Sequence, residues 1–217
     1  MVGAVTLAAE REEVVRHARR LRPDGLVVGT SGNLSARRGE LVAITPSGLD
    51  YDELTPELVC VVDLAGEVVD GELAPSTELP MHLAAYERTD AGGVVHTHSP
   101  YATVIACAEE ELPPIHYLLA ELGGRVRVAP YATFGTPELA RAIGGALAGR
   151  CAALLANHGT LTVGDTLARA YARSVTLEWL SALYVRARGM GEPSLLDDAE
   201  IERVAERMAG YGQAAPR

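Results

Sequence analysis

From Thr77 onward the chain alternates between helical and strand patterning, and turn residues punctuate each change. A helical pattern runs from Thr77 to Arg88, Gly92-Gly93 breaks it, Val94 to His98 reads as a strand, and Tyr101 to Ala108 reads as the next helix. Val126 to Ala129 is a strand. Thr136-Pro137-Glu138 then opens a helix, because threonine caps a helix start and proline fits its first turn. Ala152 to Ala156 is a buried strand, Asn157-His158-Gly159 turns it, and Leu161 to Val163 returns. A long helix from about Thr166 to Arg188 and a last one from about Asp198 to Met208 complete this part.

The first third reads differently. Val5, Ala8, Val14, Val15, Ala18 and Leu21 make a helical stripe that ends at Pro23-Asp24-Gly25. Short strands follow at Asn33 to Arg37, Leu41 to Ile44, Val59 to Asp63 and Val68 to Glu72, with hairpin turns at Arg38-Gly39 and Ala65-Gly66. Strands joined so tightly pair antiparallel. In 217 residues there is no internal repeat and no linker. The pattern predicts a single α/β domain over residues 1–217, with a mainly antiparallel central sheet covered by helices and a mobile C-terminal tail from about Tyr211.

Composition removes several functions. Nineteen basic against 29 acidic residues give a net charge of −10, which repels phosphate backbones and anionic headgroups, so neither nucleic acid nor a membrane is an expected partner. All 19 basic residues are arginine. Without lysine there is no Schiff-base aldolase, no pyridoxal-phosphate enzyme and no Walker A loop, and any carbanion formed here needs another electron sink, most often a metal. Cys60, Cys107 and Cys151 form no C-x-x-C pair and read as three buried thiols. The N-terminus lacks signal-peptide character and no run reaches membrane-spanning length, so a cytoplasmic location is expected.

His96 and His98 stand two apart on a predicted strand, so their imidazoles project to the same face. His158, in a turn after another buried strand, is a suitable third ligand; three imidazoles with an open position describe a catalytic zinc site. Glu78 falls in the first turn of the helix opened by Ser76-Thr77, where the helix dipole favours an ionised carboxylate. His82, one turn further on, reads as a supporting or core residue, and His17 and His116 as structural. Gly29-Thr30-Ser31-Gly32-Asn33, Thr45-Pro46-Ser47-Gly48 and Ser76-Thr77 together offer backbone N–H groups, hydroxyls and a helix N-terminus, a lysine-free way to hold phosphate.

Eight segments in order carry a resemblance over nearly the whole chain: Gly32-Asn33-Leu34-Ser35, Thr45-Pro46-Ser47-Gly48, Ser76-Thr77-Glu78, His96-Thr97-His98, Ile115-His116-Tyr117, Pro130 to Gly135, Asn157-His158-Gly159 and Tyr211-Gly212. In these the sequence resembles the class II aldolase/adducin family, most of all its zinc-dependent L-fuculose-phosphate aldolases. The resemblance implies one zinc ion per subunit on His96, His98 and His158, with Glu78 beside it as catalytic acid/base. It implies that Gly32, Asn33, Thr45, Ser47, Gly48, Ser76 and Thr77 bind the phosphate of a small sugar phosphate. It further implies that Phe134 and Tyr211 line the aldehyde side, and that Tyr117 reaches a neighbour's site in a homotetramer. Thr77 and Thr97 stand where many relatives have Ser and Asn. The implied activity is reversible cleavage of a ketose 1-phosphate, such as L-fuculose 1-phosphate, to dihydroxyacetone phosphate and an aldehyde such as L-lactaldehyde.

Other readings of the same fold are separable. Glu78 stands where the 4-epimerases typically carry Asp, and the adducin interaction module lacks the three histidines. A methylthioribulose-1-phosphate dehydratase is a third enzymatic alternative. A closed structural zinc site would be cysteine-rich, and no cysteine stands near these histidines.

Overall fold

The computed structural model describes residues 6–210. Its helices are α1 (Ala8–Leu21), α2 (Leu79–Arg88), α3 (Pro100–Ala108), α4 (Pro137–Leu147), α5 (Leu167–Met190) and α6 (Asp198–Met208). Its strands are β1 (Asn33–Arg38), β2 (Leu41–Ile44), β3 (Cys60–Asp63), β4 (Val68–Asp70), β5 (Gly93–Thr97), β6 (Glu111–Leu112), β7 (Val126–Ala129), β8 (Ala152–Leu155) and β9 (Gly159–Gly164). Val5 and Tyr211, with the expected tail, lie outside the described residues.

The nine strands form one sheet in the order β4-β3-β2-β1-β5-β9-β8-β7-β6. The sheet is mixed, which corrects the expectation of a mainly antiparallel one: β7 and β8 are parallel, with Val128 opposite Leu154, while the other pairings are antiparallel. The reason lies in the connection. Antiparallel neighbours need only a turn, whereas parallel ones need a crossover, and α4 supplies it between β7 and β8.

Alternating apolar residues bury both faces. Val42, Ile44, Val94, Ala153 and Leu161 pack against Met81 and Ala85 of α2 and Leu139 and Ile143 of α4. On the other face Leu34, Ala36, Ala43 and Val95 meet Val14, Ala18 and Leu21 of α1 and Tyr171 of α5. A third cluster joins α3, α5 and α6 to Ala152 and Leu154.

Three local expectations shift. The first hairpin turns at Gly39-Glu40, because β1 continues through Arg38. Only Cys60 of the three thiols is buried; Cys107 is exposed and Cys151 intermediate. The segment after Pro114, from which the resemblance has Tyr117 reach outward, packs mostly against its own chain: it closes into a 3-10 helix, Tyr117–Leu122, whose Leu119 and Leu122 fall into the third cluster, leaving Tyr117 outside.

Candidate metal centre and substrate cleft

The site forms where β5, the central strand, runs out between β1 and β9. His96 pairs with Asn33 on one side and Leu161 on the other. Both flanks pass through glycine for a steric reason: a Cβ at Gly32, which has φ +83°, would sit 2.8 Å from the His96 carbonyl oxygen, and one at Gly159 2.2 Å from the Thr97 carbonyl oxygen. His98 lies one residue beyond β5 and keeps the alternation that turns it to the His96 side. Asn157 takes up the left-handed region at φ 53°, tolerated by its short polar side chain, and so delivers His158 from the β8–β9 turn.

The three rings meet edge to face with centroids 4.8 to 4.9 Å apart. His96 Nε2 lies 2.9 Å from His98 Nε2 and 3.0 Å from Glu78 Oε2, and His158 Nε2 lies 3.3 Å from Glu78 Oε1. Ligand atoms of the four residues all fall within 4.8 Å of one another. His96 donates Nδ1–H to the Thr160 carbonyl at 2.8 Å, which leaves Nε2 as the lone-pair nitrogen. Burial lowers His98 and His158 to about 4, so both rings are neutral near pH 7. Burial alone would raise the Glu78 carboxyl; positive charge at the His96 and His158 positions, which a cation among the rings would equally supply, together with the Asn33 N–H, holds it below the usual carboxylate range.

Lone pairs converging this closely repel unless a cation lies among them, and Glu78 Oε1 is buried without a hydrogen bond. Imidazole nitrogen and carboxylate oxygen are the donors that a divalent metal of the zinc type takes. The residues therefore fit such an ion.

Glu78 is not in the first turn of α2, as the sequence suggested, but at the N-cap, with φ −95° and ψ 13°. The helix begins one residue later because Ser76 Oγ already accepts the Glu78 N–H at 3.2 Å, closing a turn ahead of Leu79-Pro80. From the cap the carboxylate reaches across to β5 rather than lying along the helix.

Glu78, His98 and His158 line a cleft of about 370 Å³. One wall is polar, formed by Thr30 to Asn33, Pro46 to Gly48, Ser76 and Thr77; the other carries Tyr131, Ala132 and Phe134. Of the expected phosphate residues, Gly32, Asn33, Ser47, Gly48, Ser76 and Thr77 border the cleft. Thr45 is buried behind them, its Oγ1 accepting the Leu34 N–H and its carbonyl oxygen accepting the Ser76 N–H. Asn33 is already engaged, donating Nδ2–H to Glu78 Oε2 and accepting at Oδ1 from His82. Tyr117 does not border the cleft of its own chain.

Some supporting residues carry no recognisable signal in the sequence. Tyr51 OH donates to the carbonyls of Ser31 and Gly32, 2.8 Å from each, and so pins the cleft loop. Glu178 of α5 accepts the N–H groups of Tyr101 and Ala102, both at 2.9 Å, at the start of α3 just beyond His98. Each acts across more than 15 residues of sequence, beyond the reach of local patterns.

The model of the class II aldolase and adducin N-terminal domain matches residues 12–185. A 5-deoxy-D-ribulose 1-phosphate aldolase of Bacillus thuringiensis is 45% identical over 210 residues, covering 95% of this chain and 99% of its own. A 5-methylthioribulose-1-phosphate/5-deoxyribulose-1-phosphate aldolase of Rhodospirillum rubrum is 43% identical over 211 residues, covering 95% and 94%. A solved L-fuculose 1-phosphate aldolase superposes with a TM-score of 0.91 at 42% identity, covering 95% of this chain and 98% of that one. With the match extending from α1 into α5 across the whole metal centre, the chain belongs to the class II aldolase and adducin family.

Proposed function

We propose that this lyase reversibly cleaves a ketose 1-phosphate to dihydroxyacetone phosphate and an aldehyde, with one zinc ion per subunit held by His96, His98 and His158. The observation that carries the reading is the convergence of those imidazoles and Glu78 beside a cleft with one polar and one apolar wall. A bound divalent ion supplies positive charge where negative charge develops as the carbon–carbon bond breaks. The rest falls to side chains. Ser47, Gly48, Ser76 and Thr77, with Gly32 and Asn33, bind the phosphate and orient the ketose; Thr45 acts from behind by fixing Ser76. One proton must move at the carbon that stays with the phosphate, and Glu78 handles it. The other moves at the oxygen that becomes the aldehyde, and Tyr117 from a neighbouring subunit of a homotetramer handles that one.

The aldehyde side favours a short apolar tail. Tyr131, Ala132 and Phe134 offer one hydroxyl among them, so an aldehyde half that carries only a methyl or thioether group suits this wall better than one, such as lactaldehyde, that carries a hydroxyl beside its methyl. 5-Deoxyribulose 1-phosphate and 5-methylthioribulose 1-phosphate, named for the Bacillus and Rhodospirillum relatives, are therefore preferred to L-fuculose 1-phosphate. Among the described residues no helix is long and apolar enough to cross a membrane, and three unpaired cysteines suit the cytoplasm proposed for it.

The test is a panel of ketose 1-phosphates with the protein stripped of metal and reloaded with zinc, reading dihydroxyacetone phosphate through a coupled assay. Release that depends on zinc and is greatest with the two deoxy-type substrates is expected. An epimerase or a dehydratase would consume substrate without releasing dihydroxyacetone phosphate, which would refute the reading.

A further inference from the structure

Behind Glu78 runs a chain of buried hydrogen bonds that the proposed reaction does not use. Asn33 Nδ2 donates to Glu78 Oε2 at 3.0 Å, and Asn33 Oδ1 lies 2.6 Å from His82 Nε2. His82 Nδ1 lies 2.7 Å from Ser35 Oγ, which lies 2.8 Å from Tyr86 OH. His82 and Ser35 are wholly buried, and Asn33, Glu78 and Tyr86 nearly so.

The protons in this chain can run only one way. An ionised carboxylate accepts and never donates, so Asn33 must turn its NH2 group toward Glu78 and its oxygen toward His82. That oxygen requires an N–H at His82 Nε2. Burial pushes His82 down to about 3, so the ring is neutral, and a neutral ring protonated at Nε2 must accept at Nδ1. Ser35 therefore gives its O–H to His82 and receives that of Tyr86.

We propose that His82 is a positioning residue: through Asn33 it fixes Oε2 of Glu78 and leaves Oε1 free for the reaction, with Ser35 and Tyr86 setting its tautomer. The inference rests on the role given to Glu78 above. It divides the work of Asn33, whose side chain is committed to the carboxylate and whose contribution to phosphate falls to its second amide hydrogen and its main chain. Displacement of a reacting group is costly, and residues that orient one commonly carry ten- to hundredfold effects.

His82→Leu is expected to lower kcat roughly ten- to hundredfold with KM for the ketose phosphate within about twofold and bound metal retained. His82→Gln, whose amide N–H can still reach Asn33, should recover most of the loss. Should His82→Leu fail to fold, Ser35→Ala decides: it removes the donor to Nδ1, together with the acceptor of the Tyr86 O–H, while leaving the His82 bond to Asn33 in place, and a loss of roughly fivefold in kcat is expected, the scale of one neutral hydrogen bond. A readout independent of turnover is the His82 ring itself. In the metal-free protein, long-range proton–nitrogen spectra should show the neutral tautomer protonated at Nε2 between about pH 6 and 8. A ring protonated at Nδ1, an unchanged kcat in the folded variants, or a loss confined to KM would each overturn the assignment. Failure of the parent protein to cleave any ketose phosphate would instead refute the functional reading, which the tautomer experiment does not share.

Discussion

His96 gives its Nδ1–H to the carbonyl of Thr160 over 2.8 Å, so what the ring presents to His98, His158 and Glu78 is the Nε2 lone pair. The bond crosses from β5 to β9, and the same two strands are tied again one position along, where Thr97 Oγ1 and Thr160 Oγ1 lie 2.7 Å apart. The metal-facing side of the ring is thus set by sheet register. A ligand held by the backbone of a neighbouring strand has little rotational freedom to lose on binding an ion, which favours tight binding.

Removing a ligand should empty the site without unfolding the chain. His98→Ala and His158→Ala, both at the border of the cleft, are expected to reduce bound zinc from about one equivalent per chain to near zero after gel filtration, because two imidazoles rarely retain the ion. Elemental analysis beside a thermal melt checks this. Stoichiometric zinc in either variant would place the ion elsewhere.

Glu78→Gln keeps the shape of the side chain and its hydrogen bond with Asn33 while removing its capacity to take a proton. Turnover should fall by roughly 10²-fold or more with secondary structure unchanged. Steady-state kinetics on the metal-loaded variant measure it, and parent-like kcat would remove Glu78 from the chemistry.

How much of this was legible beforehand depended on whether the determining interactions were local. The pair His96 and His98 could be read because strand alternation is a two-residue rule, and the α4 start because Thr136 and Pro137 act within one turn; Thr136 Oγ1 does accept the Leu139 N–H. The N-cap placement of Glu78 escaped, because its carboxylate faces β5 through contacts that sequence spacing does not encode. The parallel β7–β8 pair escaped for a related reason: α4 was visible, but which sheet edge it returned to was not. Nor does spacing in this segment say which side chains are buried: a 3-10 turn sends Tyr117 out and Leu119 in.

The polar wall of the cleft should discriminate through binding rather than turnover. Ser76→Ala and Thr77→Ala are expected to raise KM for a ketose phosphate several-fold each, a loss of about 1 kcal/mol per hydrogen bond, with kcat less affected. Inorganic phosphate should compete with the parent protein and compete less well with either variant. Parent-like inhibition constants in both would put the phosphate elsewhere.

Glu178 gives a stability prediction with a definite sign. Burial raises its carboxyl above the ordinary carboxylate value, although the N–H groups of Tyr101 and Ala102 and the Ser99 hydroxyl oppose the shift. The folded chain therefore binds this proton more readily than the unfolded chain does. Stability from this group is full below the unfolded value of about 4.3 and falls as pH rises through the raised folded value. Relative to Glu178→Gln, which does not titrate there, the parent should lose stability as pH rises from the unfolded carboxylate value through the raised folded one. Urea unfolding of both proteins across that range measures the difference, and a parent that gained stability relative to the variant would contradict it.

Tyr117 is where the single chain leaves the proposed site incomplete. It is 48% exposed, does not border its own cleft, and lies in an aromatic patch where His116 stacks on it at 4.4 Å and meets Trp179, itself 49% exposed, at 5.1 Å. An apolar patch of this kind is a liability on a free surface, and burying it against a second copy would remove the liability while carrying the phenol toward that copy's metal centre. If the proposed division of labour holds, Glu78→Gln and Tyr117→Phe subunits are each inactive for different reasons. Dissociating a mixture of the two and reassembling it would create some sites that pair an intact Glu78 with an intact neighbouring Tyr117. Activity should reappear in the mixed oligomers, rise with the fraction of hybrid interfaces, and be absent from either parent alone. Recovery no greater than the sum of the two parents would place Tyr117 outside the reaction and leave the aldehyde-side proton to a residue of the same chain.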